Sequence, residues 1–302
     1  MLSFLPAPVL YVISGLLLIL NTFLCTVFLI SGGVLKLILP FKPIQTSITK
    51  VLNKFMWAWA SGNGLILKLT SNIEWDVEGL DSLNKNSWYL VICNHVSGFD
   101  IAAQTYVLRN HIPMLKFFLK RELIFVPFMG LGCWALDMPF MNRTSSAKLK
   151  KNPKLRGKDL ATTRRSCEKF KRLPTSIMNY VEGSRFTEEK RERQNSPYQH
   201  LLRPKAAGIA FALSAMGEQF SQVLNMTLVY PDTPNDTLAK AMSGKLKKVV
   251  VRIEALPVPE INDERYFKES EYRVEFQRWL NGLWAEKDTQ IDEILSNTNY
   301  SN

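Results

Sequence analysis

Histidine is scarce in this chain: His95, His111 and His200 are the only three in 302 residues. The four cysteines, Cys25, Cys93, Cys133 and Cys167, make no C-x-x-C pair. That argues against a zinc site and a disulfide framework, and the thiols read as reduced, small apolar packing groups. There is no G-x-S-x-G elbow to present a nucleophilic serine. Acidic residues are also in deficit, 27 against 38 Lys and Arg, for a formal net charge of +11. Such an excess points to an anionic partner: nucleic acid, an anionic membrane surface or a phosphorylated substrate.

Charge is missing altogether from Met1 to Leu35. Val9 to Leu35 is an apolar run of 27 residues, broken only by small or mildly polar side chains such as Asn21 and Ser31. A bilayer core of about 30 Å takes about 20 helical residues, so residues 1–40 predict a membrane anchor, transmembrane or re-entrant with a break near Asn21 or Gly32-Gly33. A cleaved signal peptide would need a basic start and a shorter core. Lys36, Lys42, Lys50 and Lys54 follow the run, which places the body on the cytoplasmic side by the positive-inside rule. Residues 41–72 mix Phe55, Trp57 and Trp59 with isolated lysines. They read as an amphipathic helix at the membrane interface, although a buried helix would read much the same.

Residues 73–302 read as an α/β domain, with short β-branched or aromatic runs alternating with helical stretches. IEWDVEGL, WYLVICN, TSIMNYVEG, LNMTLVY and KKVVVRIEAL predict strands, and 100–109, 157–172 and 205–220 predict helices. Phe276, Leu280, Leu283, Trp284 and Ile291 repeat at helical spacing, so 265–296 predicts a C-terminal amphipathic helix. Between Arg143 and Arg172 lie 12 Lys or Arg against Asp159 and Glu168. Beside a membrane anchor this run suits anionic headgroups. Nucleic acid suits it less well, because Phe170 is the run's one aromatic for base stacking.

NHVSGFD, residues 94–100, follows the strand WYLVIC. Gly98 permits an unusual turn, and Asp100 opens the helical stretch IAAQTYVL. Asp100 is then either a first-turn residue beside a satisfied turn histidine, or the acid that orients His95 as a base. Ser97 lies close enough for a hydrolytic triad to be weighed, but the missing elbow favours an external hydroxyl as nucleophile. A second stretch, Glu182-Gly183-Ser184-Arg185, ends the strand MNYV. Its arginine has the fork that grips phosphate in a bidentate fashion.

The H-x4-D motif of NHVSGFD together with EGSR resembles the glycerolipid acyltransferase family, which includes the 1-acylglycerol-3-phosphate and lysophospholipid acyltransferases. KRELIFVPFMG (120–130), PFMNR (139–143) and LLRPKAAG (201–208) resemble further family blocks. Asn142 stands where the family usually has Asp, and the strand LNMTLVYP lacks the usual opening proline. The resemblance implies a mixed β-sheet flanked by helices, preceded by the membrane-anchoring segment. It implies a reaction in which His95 acts as general base and Asp100 orients it. The phosphate of a lysophospholipid would be held by Arg185, Ser184, Lys120 and Arg143, in a site shaped by Glu182 and Gly183. Acyl-CoA or acyl-carrier protein would be co-substrate, with no bound cofactor or metal. Lysophosphatidic acid is the expected acceptor, with lysophosphatidylglycerol or another lysophospholipid as the alternative. Two other readings stay open: a lipid hydrolase that uses the same histidine on water, and a membrane-tethered nucleic-acid-binding protein.

Overall fold

The apolar run folds as one helix, α1 (Ala7–Ile38), with no break at Asn21 or at Gly32-Gly33. The chain is a computed structural model that describes residues 2–141, 167–232, 236–261 and 263–299. Among the described residues, α1 is the one helix long and apolar enough to cross a membrane. Pro40 and Pro43 bracket the turn into α2 (Lys42–Thr70), because proline stops one helix and suits the first turn of the next. The two helices form a hairpin. Asn21 Nδ2 donates to Asn63 Oδ1 at 2.8 Å and to the Trp59 carbonyl at 3.0 Å. Gly62 permits that approach, since a methyl group there would sit 2.7 Å from Asn21 Oδ1.

The hairpin lies against the body at both ends. Near its start, Leu10 is buried and a side chain on Gly15 would meet Met242 at 3.1 Å. Near its end, Lys36 makes a 2.7 Å ion pair with Asp137. A side chain on Gly33 would run into Trp134 and Ala135 of α4 (Met129–Ala135). The outward stripe keeps Leu16, Ile19, Leu20, Phe23, Leu24 and Val27 exposed. Phe55, Trp57 and Trp59 of α2 are half-buried. Phe55 stacks on Phe28 with centroids 3.5 Å apart, and Trp57 packs into the cluster of Leu29, Leu52 and Ala135.

The body is built on a six-stranded mixed sheet in the order β1-β8-β7-β2-β6-β3. Its strands are β1 (Glu74–Glu78), β2 (Tyr89–Cys93), β3 (Leu115–Phe117), β6 (Ser176–Tyr180), β7 (Gln222–Val229) and β8 (Lys248–Leu256). Leu119–Lys120 (β4) and Phe140–Met141 (β5) form a separate pair. β7 and β8 are antiparallel, and the other pairings of the large sheet are parallel. Every residue of β2 is buried, as expected for a central strand covered on both faces. Alternation sorts the side chains. Leu90 and Ile92 face α6 (Ala206–Met216) and α9 (Ser270–Asn299), while Tyr89, Val91 and Cys93 face α3 (Asp100–Leu108). Leu280 and Trp284 of α9 are fully buried, so the C-terminal helix is part of the core. The three-residue strand β3 was not among the expected strands. Most of the basic run, including Arg143, and most of the expected helix 157–172 lie outside the described residues. Glu168–Arg172 form a short 3-10 turn.

Candidate active site

β2 runs parallel to both β6 and β7, so the ends of three strands converge on one edge. After β2 the chain leaves through Asn94, whose amide is clamped to β7. Its Nδ2 donates to the Leu228 carbonyl at 2.8 Å and its Oδ1 accepts from Leu228 N at 2.9 Å. After β6 the chain leaves through Glu182 and Gly183, with Gly183 at φ +74°, a backbone state that favours glycine. Phe186 N then donates to the His95 carbonyl at 2.7 Å. The NHVSGFD and EGSR loops are thereby fastened side by side.

His95 and Asp100 form a pair, with Nδ1 2.7 Å from Asp100 Oδ2. Asp100 is fully buried in the first turn of α3, but its carboxylate turns back. The same Oδ2 accepts from Val96 N at 2.8 Å and Ser97 N at 3.0 Å, and Oδ1 accepts from the Tyr230 hydroxyl at 2.7 Å. Asp100 therefore both occupies the first turn of α3 and holds the His95 ring. With Asp100 as acceptor the proton sits on Nδ1, which leaves Nε2 as the basic nitrogen. The imidazole also stacks on Tyr180, with centroids 4.1 Å apart and planes 15° apart. Tyr180 is held in turn by a 2.7 Å bond from its hydroxyl to Gln104 Oε1. Burial, then the nearby Asp100 carboxylate, push both phenols well above their ordinary range, so Tyr180 and Tyr230 remain donors.

His95 lines a pocket of about 380 Å³ together with Phe117, Tyr180, Ser184, Arg185 and Lys190, among others. Arg185 reaches toward the NHVSGFD loop: a methyl on Gly98 would lie 3.7 Å from its Nη1. Lys190 braces the loop by donating to the Arg185 carbonyl at 2.7 Å. Lys205 reaches toward Gly183 from the LLRPKAAG block. The pocket therefore joins an imidazole, a guanidinium and an aromatic wall.

The expected site residues separate into three groups. His95, Gly183, Ser184 and Arg185 line the pocket, with Asp100 directly behind. Lys120 sits exposed on β4 and is not among the lining residues. Glu182 lies beneath the pocket rather than in it. It is fully buried, and its two oxygens accept from His95 N at 3.3 Å and Leu202 N at 3.1 Å. A carboxylate so engaged shapes the loop and offers nothing to a phosphate. Burial pushes it up to about 8 against the pull of those two N–H groups and Lys287.

Lys287, Tyr180, Gln104 and Tyr230 were not anticipated. Lys287 comes from α9, is almost completely buried, and donates to the Met226 carbonyl at 2.6 Å and Thr227 Oγ1 at 3.2 Å. Met226 pairs with Cys93, so the C-terminal helix grips β7 beside the catalytic loop. Cys93 is inert: burial raises its thiol to about 12, and Gln104 Nε2 donates to its sulfur at 3.1 Å. His111 is half-buried and His200 lies 3.3 Å from Asp292 at the surface.

Residues 74–230, just over half of the chain, match the family model described as Acyltransferase. The 1-acyl-sn-glycerol-3-phosphate acyltransferase 3 of Arabidopsis thaliana is 24% identical over 324 residues, covering 99% of this chain and 76% of the plant protein. The 1-acyl-sn-glycerol-3-phosphate acyltransferase delta of Bos taurus is 24% identical over 292 residues, covering 89% and 71%. The crystal structure of the 1-acyl-sn-glycerophosphate acyltransferase PlsC from Thermotoga maritima shares the fold at a TM-score of 0.50 and 19% identity, across 91% of this chain and 98% of that one. The family match, the relatives and the shared fold agree: this chain belongs to the acyltransferase family and is an O-acyltransferase.

Proposed function

We propose that the chain transfers a fatty acyl group from acyl-CoA or acyl-carrier protein to the free hydroxyl of 1-acyl-sn-glycerol 3-phosphate, making phosphatidic acid. The observation that carries this reading is the His95–Asp100 pair opening onto the pocket that also holds Arg185. His95 Nε2 takes the proton of the acceptor hydroxyl as its oxygen attacks the thioester carbonyl. The carbon–sulfur bond then breaks, and the leaving thiolate takes the proton back from His95. General-base catalysis of this kind is worth about 10²- to 10⁴-fold. Arg185 holds the acceptor's phosphate through two parallel N–H bonds, and Asp100 keeps the imidazole in the productive tautomer.

The acceptor is a bilayer molecule, and the hairpin meets that need. α1 is held by the body near both ends and turns an apolar stripe outward, which supports a reading in which the helix lies along the bilayer surface.

The test uses washed membranes carrying the wild-type chain or His95→Ala, labelled oleoyl-CoA, and either lysophosphatidic acid or lysophosphatidylglycerol. Label entering phosphatidic acid only with His95 present supports the proposal. Label entering only phosphatidylglycerol keeps the chemistry and replaces the acceptor. No acceptor-dependent transfer, with acyl-carrier protein donors as well, overturns it.

A further inference from the structure

A second charged cavity lies where the hairpin meets the body, apart from the catalytic pocket. It has a volume of about 200 Å³. Lys36 from α1, Lys116 from β3, and Lys169 and Arg172 from the 3-10 turn line it, with Asp137 the one acid among its lining residues. Thr46, Thr49 and Gln45 of α2 add polar groups. Adjacent residues of β3 serve the two cavities, Lys116 this one and Phe117 the catalytic one, because neighbouring strand side chains point to opposite faces.

The carboxylate is engaged at both oxygens. Asp137 Oδ2 accepts from Lys36 at 2.7 Å and from Thr49 Oγ1 at 3.2 Å, and Oδ1 accepts from Lys169 at 2.8 Å. Lys36 Nζ has Asp137 and the Ala135 carbonyl. Lys116 Nζ has Asn53 Oδ1 and the Leu136 carbonyl. An ammonium carries three donors, so each of these two keeps one N–H over, among the described residues. Lys116 is 2% exposed and Lys36 9%. Burying such groups beside two further cations is costly unless an anion answers them. Burial draws Lys116 down to about 8, and a bound anion would hold its proton in place.

We infer that this cavity is a second anion site, distinct from the Arg185 pocket, that takes a phosphate ester. The rim favours a lipid as the source. Leu37 is one of the lining residues, and Leu37, Ile38 and Phe41 at the hairpin elbow are 69%, 67% and 63% exposed. Acyl chains resting on that elbow would bring a headgroup phosphate to Lys36 and Lys169. The site would then report on the anionic phospholipid beneath the enzyme.

The test is run on full-length protein in neutral detergent carrying Arg185→Gln, so that phosphate binding in the catalytic pocket does not register. Thermal unfolding is followed against short-chain phosphatidylglycerol, against inorganic phosphate, and against sodium chloride at matched ionic strength. Lys169→Gln/Arg172→Gln is added to the same background, since both side chains are exposed and their loss leaves the buried lysines paired. The expected result is a saturable rise in Tm with phosphatidylglycerol, weakened at least fivefold in apparent affinity by the added pair. An equal rise with inorganic phosphate, weakened by the same pair, supports the site and assigns it to a soluble phosphate. No rise beyond the chloride control, or a rise the added pair leaves unchanged, overturns the inference. Failure of acyl transfer to lysophosphatidic acid would leave this result untouched, because the background has no working catalytic phosphate grip.

Discussion

Tyr230 and His95 hold opposite oxygens of one carboxylate: the phenol donates to Asp100 Oδ1 and the imidazole to Oδ2, each at 2.7 Å. Tyr230 lies 130 residues beyond Asp100, so the end of β7 fixes the carboxylate that fixes the base. Tyr230→Phe keeps the ring and removes the donor. Loss of a hydrogen bond to a charged group costs about 1.5–3 kcal/mol. kcat is expected to fall about 10-fold, with KM for either substrate within about twofold. Steady-state kinetics on membranes adjusted to equal protein content decide it, and an unchanged kcat would remove Tyr230 from the positioning of Asp100.

Asp100→Asn replaces an acceptor with a side chain that can also donate. The Asn oxygen would take the Oδ2 place, where Val96 N–H and Ser97 N–H as well as His95 Nδ1 need an acceptor, so the tautomer is kept but the imidazolium formed in the reaction loses its negative partner. A loss of about 10- to 10²-fold in kcat, the worth of a hydrogen bond to a charged group, is expected. Far-ultraviolet circular dichroism should match the wild type.

Arg185→Lys keeps the charge and removes the fork. KM for the lysophospholipid is expected to rise about 10-fold or more, with KM for the acyl donor unchanged. If both rise together, the arginine serves the donor as well, and the phosphate assignment fails.

Glu182 gives the stability of the chain a pH signature. Burial raises its folded-state value from 4.5 to about 8, so between those values the folded chain holds a proton that the unfolded chain has released. Its contribution is full below pH 4.5 and is lost as pH rises through 8. Lys287 is drawn down from 10.5 to about 8, chiefly by burial, so its contribution grows from pH 8 to 10.5. Tm should therefore decline from pH 5 to 8. Glu182→Gln places an amide N–H against one of two backbone N–H groups, lowering stability by about 1–3 kcal/mol, and it should flatten the decline. A decline as steep in the variant as in the wild type would locate the titrating group elsewhere.

The local half of the site was legible in the sequence because it is local. His95 and Asp100 are five residues apart at a strand-to-helix junction, and Gly183 marks the turn that brings Arg185 alongside. The sheet was legible where β-branched runs were long. β3 was not, because LKF is short and carries a lysine. Lys287 and Tyr230 act across long stretches of chain, and no spacing announces a contact of that kind. Glu182 was visible as part of a motif, but its role depends on burial, which a motif does not express. The long apolar run gave α1 its length. Its course along the body comes from Gly15, Gly33 and Lys36, whose partners lie far along the chain.

β1 pairs in parallel with β8, Glu74 beside Lys248 through Glu78 beside Arg252. A strand formed early in synthesis thus waits for one formed near its end. At about 5–20 residues per second on the ribosome, the interval is on the order of ten seconds or more. The α1–α2 hairpin is already made during that time, while the sheet is still incomplete. The contacts of Lys287 with Met226 and Thr227 come later still, once α9 is made. A newly made chain would therefore present its apolar hairpin well before its sheet is closed.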